Sequence, residues 1–403
     1  MMPLHVTAAR RPVRPSRAAG FSIVELMIAI VIGLLALAFA TRLVVSGEAN
    51  KQAALGGSDS MQNGVLALFS IERELSQAGW GLNDPLINGC DTRLPAPSTG
   101  NKYALLAAPR GGASVTPLAP VVIQSVANGS DIISINAGSA LSNTGMVHLS
   151  GDYTGGGVIH IDRAPYGFNG TASVVAGGDV IVVAPESPGK QCAISQVSAV
   201  VEGSDNQLLI ASGGNNIYSD GGLGVNFSAK NDGGRVFNLG PSSNLSFHTW
   251  SLNANGFLML RATNLAGTSA SGAPVTDNIV AIKAQYGLDQ RAGAAFDPEG
   301  GMQVSTWSGT MPDADGDGVA GSAGDYARIA AVRVAVVARS RNPEKPGSNG
   351  SCTATPATPF TVFGGTVTVP LAVAGDTVNW TCYRYRTFET IVPLRNSAWR
   401  PTA

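Results

Sequence analysis

An apolar segment near the N-terminus, from Phe21 to Val45, constrains the fold of this chain more than any other feature. It contains sixteen consecutive uncharged residues, Leu26 to Thr41, and the residues beside them can extend it to the length that crosses a bilayer. Four arginines and no acidic residue precede the segment, which places the N-terminus in the cytoplasm by the positive-inside rule. The sequence therefore predicts a membrane helix followed by a large region on the far side of the membrane.

Glu25 is a carboxylate inside this apolar segment. An ionised group costs about 2.5–3.5 kcal/mol at the centre of a membrane helix, so such a residue indicates a function. A simpler explanation is that Glu25 lies near the membrane surface and reaches the headgroups. A secretory signal peptide fits less well, because its cleavage site would follow the apolar run, whereas the triplet Ala38-Phe39-Ala40 lies inside it.

The segment GFSIVEL, from Gly20 to Leu26, resembles the prepilin leader motif. The resemblance implies cleavage after Gly20 by a prepilin peptidase and N-methylation of Phe21, with Glu25 fifth in the mature chain. An unpaired carboxylate is costly in a filament core of packed apolar helices. The Phe21 amino group of a neighbouring subunit is the expected partner of Glu25, and their pairing would set the axial register of the filament.

Further segments of the chain are similar to the minor pilins called PilW. They are IERELSQAGW at 71–80 followed by Cys90, GDVIVV at 178–183 leading to Cys192, IKAQYGLD at 282–289, VRVAVVARS at 332–340 and FETIVPLRN at 388–396. The resemblance implies a structural minor pilin of type IV pili, in a minor-pilin complex that primes assembly at the tip. It implies as partners other minor pilins, the major pilin, the prepilin peptidase and the inner-membrane assembly platform, with a tip adhesin as a further candidate.

The implied location is the inner membrane of a Gram-negative bacterium, with a periplasmic head before assembly and an extracellular pilus afterwards. Two alternatives remain open at this stage. A type II secretion pseudopilin shares the leader and its physical chemistry. A membrane-anchored periplasmic binding protein or enzyme would keep its leader uncut, and Glu25 would then have no role in assembly.

The expected fold is α+β, with a long N-terminal helix packed on a β-rich pilin head. The expected divisions are a leader at 1–20, a transmembrane and filament-core helix at 21–45, its continuation at 46–81 and the head at 82–403. Gly47, Gly56, Gly57 and Gly64 predict a melted or kinked stretch within the helix. Apolar runs separated by Gly, Asn and Ser predict strands at 121–126, 131–135, 158–161, 180–183, 207–211, 245–252, 256–261 and 278–286.

The four cysteines of the chain show no close metal-ligand spacing, which argues against a zinc site. An even number in an exported protein favours disulfides, and four cysteines allow three pairings. We favour Cys352 with Cys382, because the segment between them is predicted to form a loop and a hairpin, which leaves Cys90 with Cys192. Buried free thiols are the alternative.

An acidic loop at residues 313–318, sequence DADGDG, is the one candidate cofactor site. Asp313, Asp315 and Asp317 occupy positions 1, 3 and 5 of a calcium-binding loop with glycine at position 6, and the Val319 carbonyl could add a ligand at position 7. The bidentate glutamate expected at position 12 is absent, and Asp325 at position 13 could replace it. The competing interpretation is a solvated turn without an ion.

Nothing in the sequence recommends an enzyme or a nucleic-acid-binding protein. The net charge is −1 and charged residues make up 13 % of the chain, whereas a nucleic-acid binder carries a clustered basic face. His148, His160 and His248 lie on strand-like runs and are interpreted as sheet residues. The glycines of the acidic loop also match G-x-G-x-x-G, but no strand precedes them and its aspartates would repel a pyrophosphate.

Overall fold

The computed structural model describes residues 20, 22–94, 105–139, 147–170, 178–187, 190–213, 216–230, 233–262, 272–347, 349–356 and 358–398. Its helices are α1 (Ile23–Leu75), α2 (Ala323–Tyr326) and α3 (Arg395–Ala398), with 3-10 turns at Gly293–Ala295 and Trp380–Cys382. A long N-terminal helix is thus followed by a strand-rich region, which confirms the predicted α+β class.

Twenty-one strands, numbered β1 to β21 in chain order, follow helix α1 in the described residues. They are Cys90–Arg93, Ala108–Arg110, Ala113–Val115, Pro117–Leu118, Val121–Gln124, Ile132–Ala137, Val147–His148, Val158–Ile161, Asp179–Ala184, Cys192–Val201, Asn206–Ile210, Arg235–Pro241, Ser246–Leu252, Leu258–Ala262, Ala273–Thr276, Ile279–Leu288, Thr306–Ser308, Ile329–Arg339, Phe360–Val362, Val367–Val369 and Tyr385–Pro393. Each of the eight predicted strands overlaps one of them.

The strands form three main sheets. The largest has eight strands, in the order β4-β1-β10-β9-β12-β7, with β11 pairing both β10 and β8. A second has the order β15-β14-β13-β6-β5, and the third has the order β17-β16-β18-β21. Two hairpins, β2–β3 and β19–β20, complete the fold.

The chain divides into two compact units, Met1–Ala54 and Leu55–Ala403. In the first unit the described residues other than Gly20 and Ser22 belong to helix α1, and the stretch Ile23–Glu48 is long and apolar enough to cross a membrane. None of its apolar window is buried inside the structure. Such a surface is stable in lipid or against other apolar helices, but not in water.

In the second unit the last five turns of helix α1 pack on the strands. Ala67, Ile71 and Leu75 recur at steps of four residues and are fully buried, as expected for one face of an amphipathic helix. They share a core with residues of the second and third sheets, including Trp250 and Val334. Two other apolar cores lie on the two faces of the eight-stranded sheet, and a third lies beneath the β19–β20 hairpin.

Helix α1 is continuous through Gly47, Gly56, Gly57 and Gly64, so the prediction that this stretch melts is wrong. Two of these glycines lie where an added Cβ would approach a neighbouring side chain closely. A Cβ on Gly64 would lie 2.1 Å from Cε2 of Phe388, and one on Gly56 would lie 3.1 Å from Cβ of Ser340. The helix ends at Leu75 rather than at residue 81, since residues 76–81 form turns in which Gly79 adopts a φ of +80°.

Candidate functional site

The N-terminal end of helix α1 carries the candidate processing and assembly residues. Gly20 is exposed, with open space around it, while Phe21 lies outside the described residues. Ser22 caps the helix: its Oγ accepts a hydrogen bond from the Val24 N–H at 3.3 Å. Glu25 accepts one from the Ser22 N–H at 3.5 Å, so its side chain reaches back to the residue that caps the helix.

This geometry leaves most of the Glu25 carboxylate free. The side chain is exposed in the first helical turn, where the helix dipole stabilises a negative charge. Its one hydrogen bond from the described residues is long, at 3.5 Å, and a carboxylate accepts about four. The site can therefore accept further hydrogen bonds from a donor outside the described residues.

The acidic loop precedes helix α2 and brings three carboxylates together. One oxygen each from Asp313, Asp315 and Asp317 lie within 4.8 Å of one another. The backbone holds them in place, because Asp313 accepts hydrogen bonds from the N–H groups of Gly316 and Gly318 at 2.7 and 2.9 Å. Both glycines have a positive φ, +83° and +87°, a conformation that other residues rarely adopt.

The three clustered carboxylates fit a hard divalent cation in type and spacing. Oxygen atoms are the ligands that calcium prefers, and no lysine or arginine among the described residues forms an ion pair with any of the three. Asp315 lies against Gly324, where an added Cβ would meet its Oδ2 at 1.8 Å. The glycine at the twelfth loop position therefore makes room for the Asp315 carboxylate.

Asp325 has a different place from the one that the sequence analysis gave it, since it is not a member of the carboxylate cluster. It is fully buried and forms a capping box with Ser322 at the start of helix α2. Oδ1 accepts from the N–H groups of Ala314 and Asp315, and Oδ2 from those of Gly321 and Ser322. Burial raises the pKa of Asp325, an effect that these backbone hydrogen bonds oppose.

Val319 likewise serves the loop itself. Its N–H donates to Asp317 Oδ1 at 2.7 Å, and its carbonyl accepts from the Ser322 N–H at 3.1 Å. Asp325 therefore joins the loop to the N-terminus of helix α2, and the carboxylates that the structure clusters are those of Asp313, Asp315 and Asp317.

The three described histidines each contact a carboxylate. His160 Nδ1 lies 2.9 Å from Asp205 Oδ1, and His148 lies 3.5 Å from Asp162 and 3.6 Å from Glu186. The third contact, between His248 and Glu74, joins helix α1 to strand β13.

Glu74, in the last turn of helix α1, joins the helix to strand β13, a contact that the sequence analysis missed. Its Oε1 lies 2.7 Å from His248 Nδ1, and its Oε2 accepts from Trp250 Nε1 at 2.6 Å. Trp250 is 1 % exposed, so its N–H needs a buried acceptor. The spacing of His248 and Trp250, two residues apart on one face of a strand, is the signal that could have suggested a shared partner.

Both disulfides have the pairing that the sequence analysis favours. Cys90 is bonded to Cys192 across a separation of 102 residues, and Cys352 to Cys382 across 30. The first joins β1 to β10, which run parallel as neighbours. The second closes the loop that contains the β19–β20 hairpin.

Two family models match the chain. The model described as Prokaryotic N-terminal methylation motif matches residues 15–41, which contain Gly20 and Glu25. The model described as Type IV Pilus-assembly protein W matches residues 249–396, which contain the acidic loop, the third sheet and the second disulfide. No curated protein and no solved structure matches.

Proposed function

We propose that the chain, which matches the Type IV Pilus-assembly protein W model over residues 249–396 and the N-terminal methylation model over residues 15–41, is a PilW-like minor pilin that primes pilus assembly at the tip together with other minor pilins. Its role is structural rather than enzymatic. Before assembly it is held in the inner membrane by helix α1, with its head in the periplasm. The assembly platform then transfers it, with the major pilin, into the extracellular filament.

The observation that carries this proposal is the exposed apolar part of helix α1 with a carboxylate in its first turn. The stretch Ile23–Glu48 has no partner within the described fold, so it must exchange lipid for the helices of other subunits. In that apolar setting an unpaired Glu25 would be costly. A cation in hydrogen-bonding reach removes the cost, and the amino group that cleavage after Gly20 creates on a neighbouring subunit has the right charge.

The test begins with the N-terminus of the full chain, isolated from membranes with and without the prepilin peptidase. We expect intact mass and N-terminal sequencing to find a methylated Phe21 only when the peptidase is present. A chain that keeps Met1 or Met2 in both membranes would remove the pilin pathway and favour the membrane-anchored periplasmic protein.

A charge-neutral substitution then tests assembly. Glu25→Gln should be processed but reduced strongly in the sheared pilus fraction, because the neutral amide cannot form an ion pair with an ammonium group. Glu48→Gln is the matched control: Glu48 lies in the same helix, is exposed and faces only Lys51 at 3.9 Å. Equal recovery of both variants in pili would overturn the role of Glu25. Recovery in a secretion pseudopilus rather than in pili would favour the pseudopilin alternative.

The priming role has its own readout, because a primer is needed in small amounts and its loss should abolish filaments rather than shorten them. We expect deletion of the gene to reduce the number of surface pili at unchanged levels of major pilin in the membrane. Normal pilus numbers would contradict priming while leaving membership of the filament intact.

We also propose that the acidic loop binds calcium through Asp313, Asp315 and Asp317. Its support is the mutual distance of three uncompensated carboxylate oxygens. Calcium at 100 times its dissociation constant should stabilise the fold by about 2.7 kcal/mol, and Asp315→Asn with Asp317→Asn should abolish that gain. The control, Glu202→Gln with Glu299→Gln, removes two exposed charges elsewhere. The calcium response is measured as the change in melting temperature when calcium is added. An equal response in both double variants would contradict the site.

A further inference from the structure

The third sheet has two unequal edges. One edge is β17, which is three residues long, and the other is β21, which is nine residues long. Strand β21 pairs with β18 along its whole length, from Ala331↔Pro393 to Arg339↔Tyr385, without a register shift. On its other side no strand pairs with it in the part of the chain that the structure describes.

The register fixes which backbone groups of β21 face outward. Hydrogen bonds from Ser340 N–H to the Arg384 carbonyl and from Leu394 N–H to the Ala330 carbonyl bracket the strand. In an antiparallel pair, alternate residues exchange both hydrogen bonds with the partner strand. The even-numbered residues of β21 therefore bond to β18. The N–H and carbonyl groups of the odd-numbered ones point away from the sheet, and those with an N–H are Tyr385, Thr387, Glu389 and Ile391.

This edge lacks most of the features that protect exposed strands. Natural edge strands are usually short, bulged, or interrupted by charged side chains or proline, whereas β21 is long and regular, with Arg386 and Glu389 as its charged residues and Pro393 only at its end. One residue of the nine, Val392, is buried. Ile391, a β-branched apolar residue, is 60 % exposed. The outward N–H and carbonyl groups of β21 and the exposed side chain of Ile391 are therefore both available to a further strand.

The strand is also held rigidly from both faces. On one face Phe388 packs directly beneath Gly64 of helix α1. On the other, Glu389 Oε1 accepts a hydrogen bond from the Phe363 N–H at 2.7 Å, which ties β21 to the β19–β20 hairpin. An acceptor strand that is already fixed loses little conformational entropy when a partner binds.

We propose that the outer edge of β21 binds an extended segment of another subunit of the pilus, which joins the third sheet as a fifth strand. The inference rests on the proposed function, and it names the kind of contact that this subunit makes with its neighbours. Backbone hydrogen bonds select an extended chain, and alternate side chains supply specificity. The segment would carry an apolar residue opposite Ile391.

A different subunit fits this edge better than a second copy of the chain. When two β21 edges pair antiparallel, odd-numbered residues stand opposite odd-numbered ones, because only those have outward N–H groups. Arg386 and Glu389, the charged residues of the strand, then lie on opposite faces and cannot pair. Self-pairing therefore gains no charge complementarity.

Hydrogen exchange of the wild-type protein tests the proposal without any substitution. In the mature chain purified in detergent, the amides of Tyr385, Thr387, Glu389 and Ile391 should exchange fast, while those of the residues between them are protected by β18. In the sheared pilus fraction we expect these four amides to exchange at least about ten-fold more slowly. Unchanged exchange in pili would overturn the proposal, and so would protection that arises on dimerisation of the purified protein alone.

A pair of proline variants separates the edge from the fold. Thr387→Pro removes an outward N–H and places a ring where a partner strand would lie, and proline is tolerated on an edge strand. We expect an unchanged melting temperature and at least about a ten-fold loss from the pilus fraction. Thr390→Pro, whose N–H faces Val334, should instead lower the melting temperature. Normal recovery of Thr387→Pro in pili would count against the edge.

The outcomes also distinguish this inference from the proposed function. If the wild-type chain is neither cleaved after Gly20 nor found in pili, the proposed function fails and the inference fails with it. If the chain is cleaved and present in pili with four unprotected amides, only the edge pairing is refuted.

Discussion

The contact between helix α1 and strand β21 can be tested by adding a single carbon atom. In Gly64→Ala the new Cβ would lie 2.1 Å from Phe388 Cε2, and real Cβ contacts are essentially never closer than 3.0 Å. The ring must therefore retreat by at least 0.9 Å (3.0 − 2.1). Overpacking of this kind costs about 1–3 kcal/mol, while the gain in helix propensity from glycine to alanine offsets about 1 kcal/mol. We expect a net loss of up to about 2 kcal/mol.

Gly57 provides the matched control in the same helix. A Cβ there would lie 3.6 Å from Nη2 of Arg386, an ordinary contact, so Gly57→Ala should stabilise the protein by about 0.5–1 kcal/mol. The two substitutions are chemically identical and are expected to have opposite signs. Urea unfolding of the mature full-length chain in detergent, followed by tryptophan fluorescence, measures both.

A second substitution identifies the cause. In a Phe388→Leu background the ring is gone, and Gly64→Ala should then be neutral or stabilising, which a double-mutant cycle would show as a coupling of about 1–3 kcal/mol. The reasoning would be refuted if Gly64→Ala stabilised the wild-type chain as much as Gly57→Ala does. That result would mean that helix α1 does not lie against β21.

Three further predictions concern stability. Replacing both cysteines by serine should cost about 4–5 kcal/mol for the disulfide with the 102-residue separation and about 3–4 kcal/mol for the 30-residue one, an order that urea unfolding can check. Glu74→Ala should cost about 2–3 kcal/mol, because it leaves Trp250 Nε1 buried without its acceptor, whereas Glu72→Ala should change unfolding by less than about 0.5 kcal/mol. Burial raises the pKa of Asp289, but hydrogen bonds from Arg291 and the Gln303 N–H outweigh this effect and lower it from 3.8 to about 2. The stability from this pair is present above pH 4 and lost as the pH falls towards 2, so Asp289→Asn should flatten the acid limb of a melting-temperature profile, and an unchanged limb would contradict it.

The sequence was most informative where its pattern is local. The eight strands could be predicted because each is a short apolar run bounded by Gly, Asn and Ser clusters, and helix α1 could be predicted because it begins with a long apolar run. Strand β18 is a longer apolar run, Ile329–Arg339, whose residues are nearly all buried, so it shows no alternation and its apolar content alone cannot distinguish it from a buried helix. Its identity as VRVAVVARS was visible only as a family resemblance. Gly57 and Gly64 misled because their packing against β21 is a tertiary contact.

The candidate sites follow the same division. The leader motif and the three clustered aspartates each lie within one short segment of the sequence, so the first could be recognised by its resemblance to the prepilin leader and the second by its spacing. The place of Asp325 depends on how the loop closes on helix α2, although the Ser-x-x-Asp spacing from Ser322 was a capping signal. The open edge of β21 needed the complete sheet order, which no local pattern contains.

The two disulfides have a mechanical consequence for a subunit that carries load. An extended chain spans about 3.4 Å per residue, so the 102-residue separation between Cys90 and Cys192 corresponds to about 350 Å of contour length. The 30-residue separation corresponds to about 100 Å. A pulled head whose disulfides stay intact cannot release either length. In the oxidised protein a pulling force passes through the disulfides, so the chain between each pair of bonded cysteines is not extended. Reduction of the disulfides would make the same subunit far more extensible.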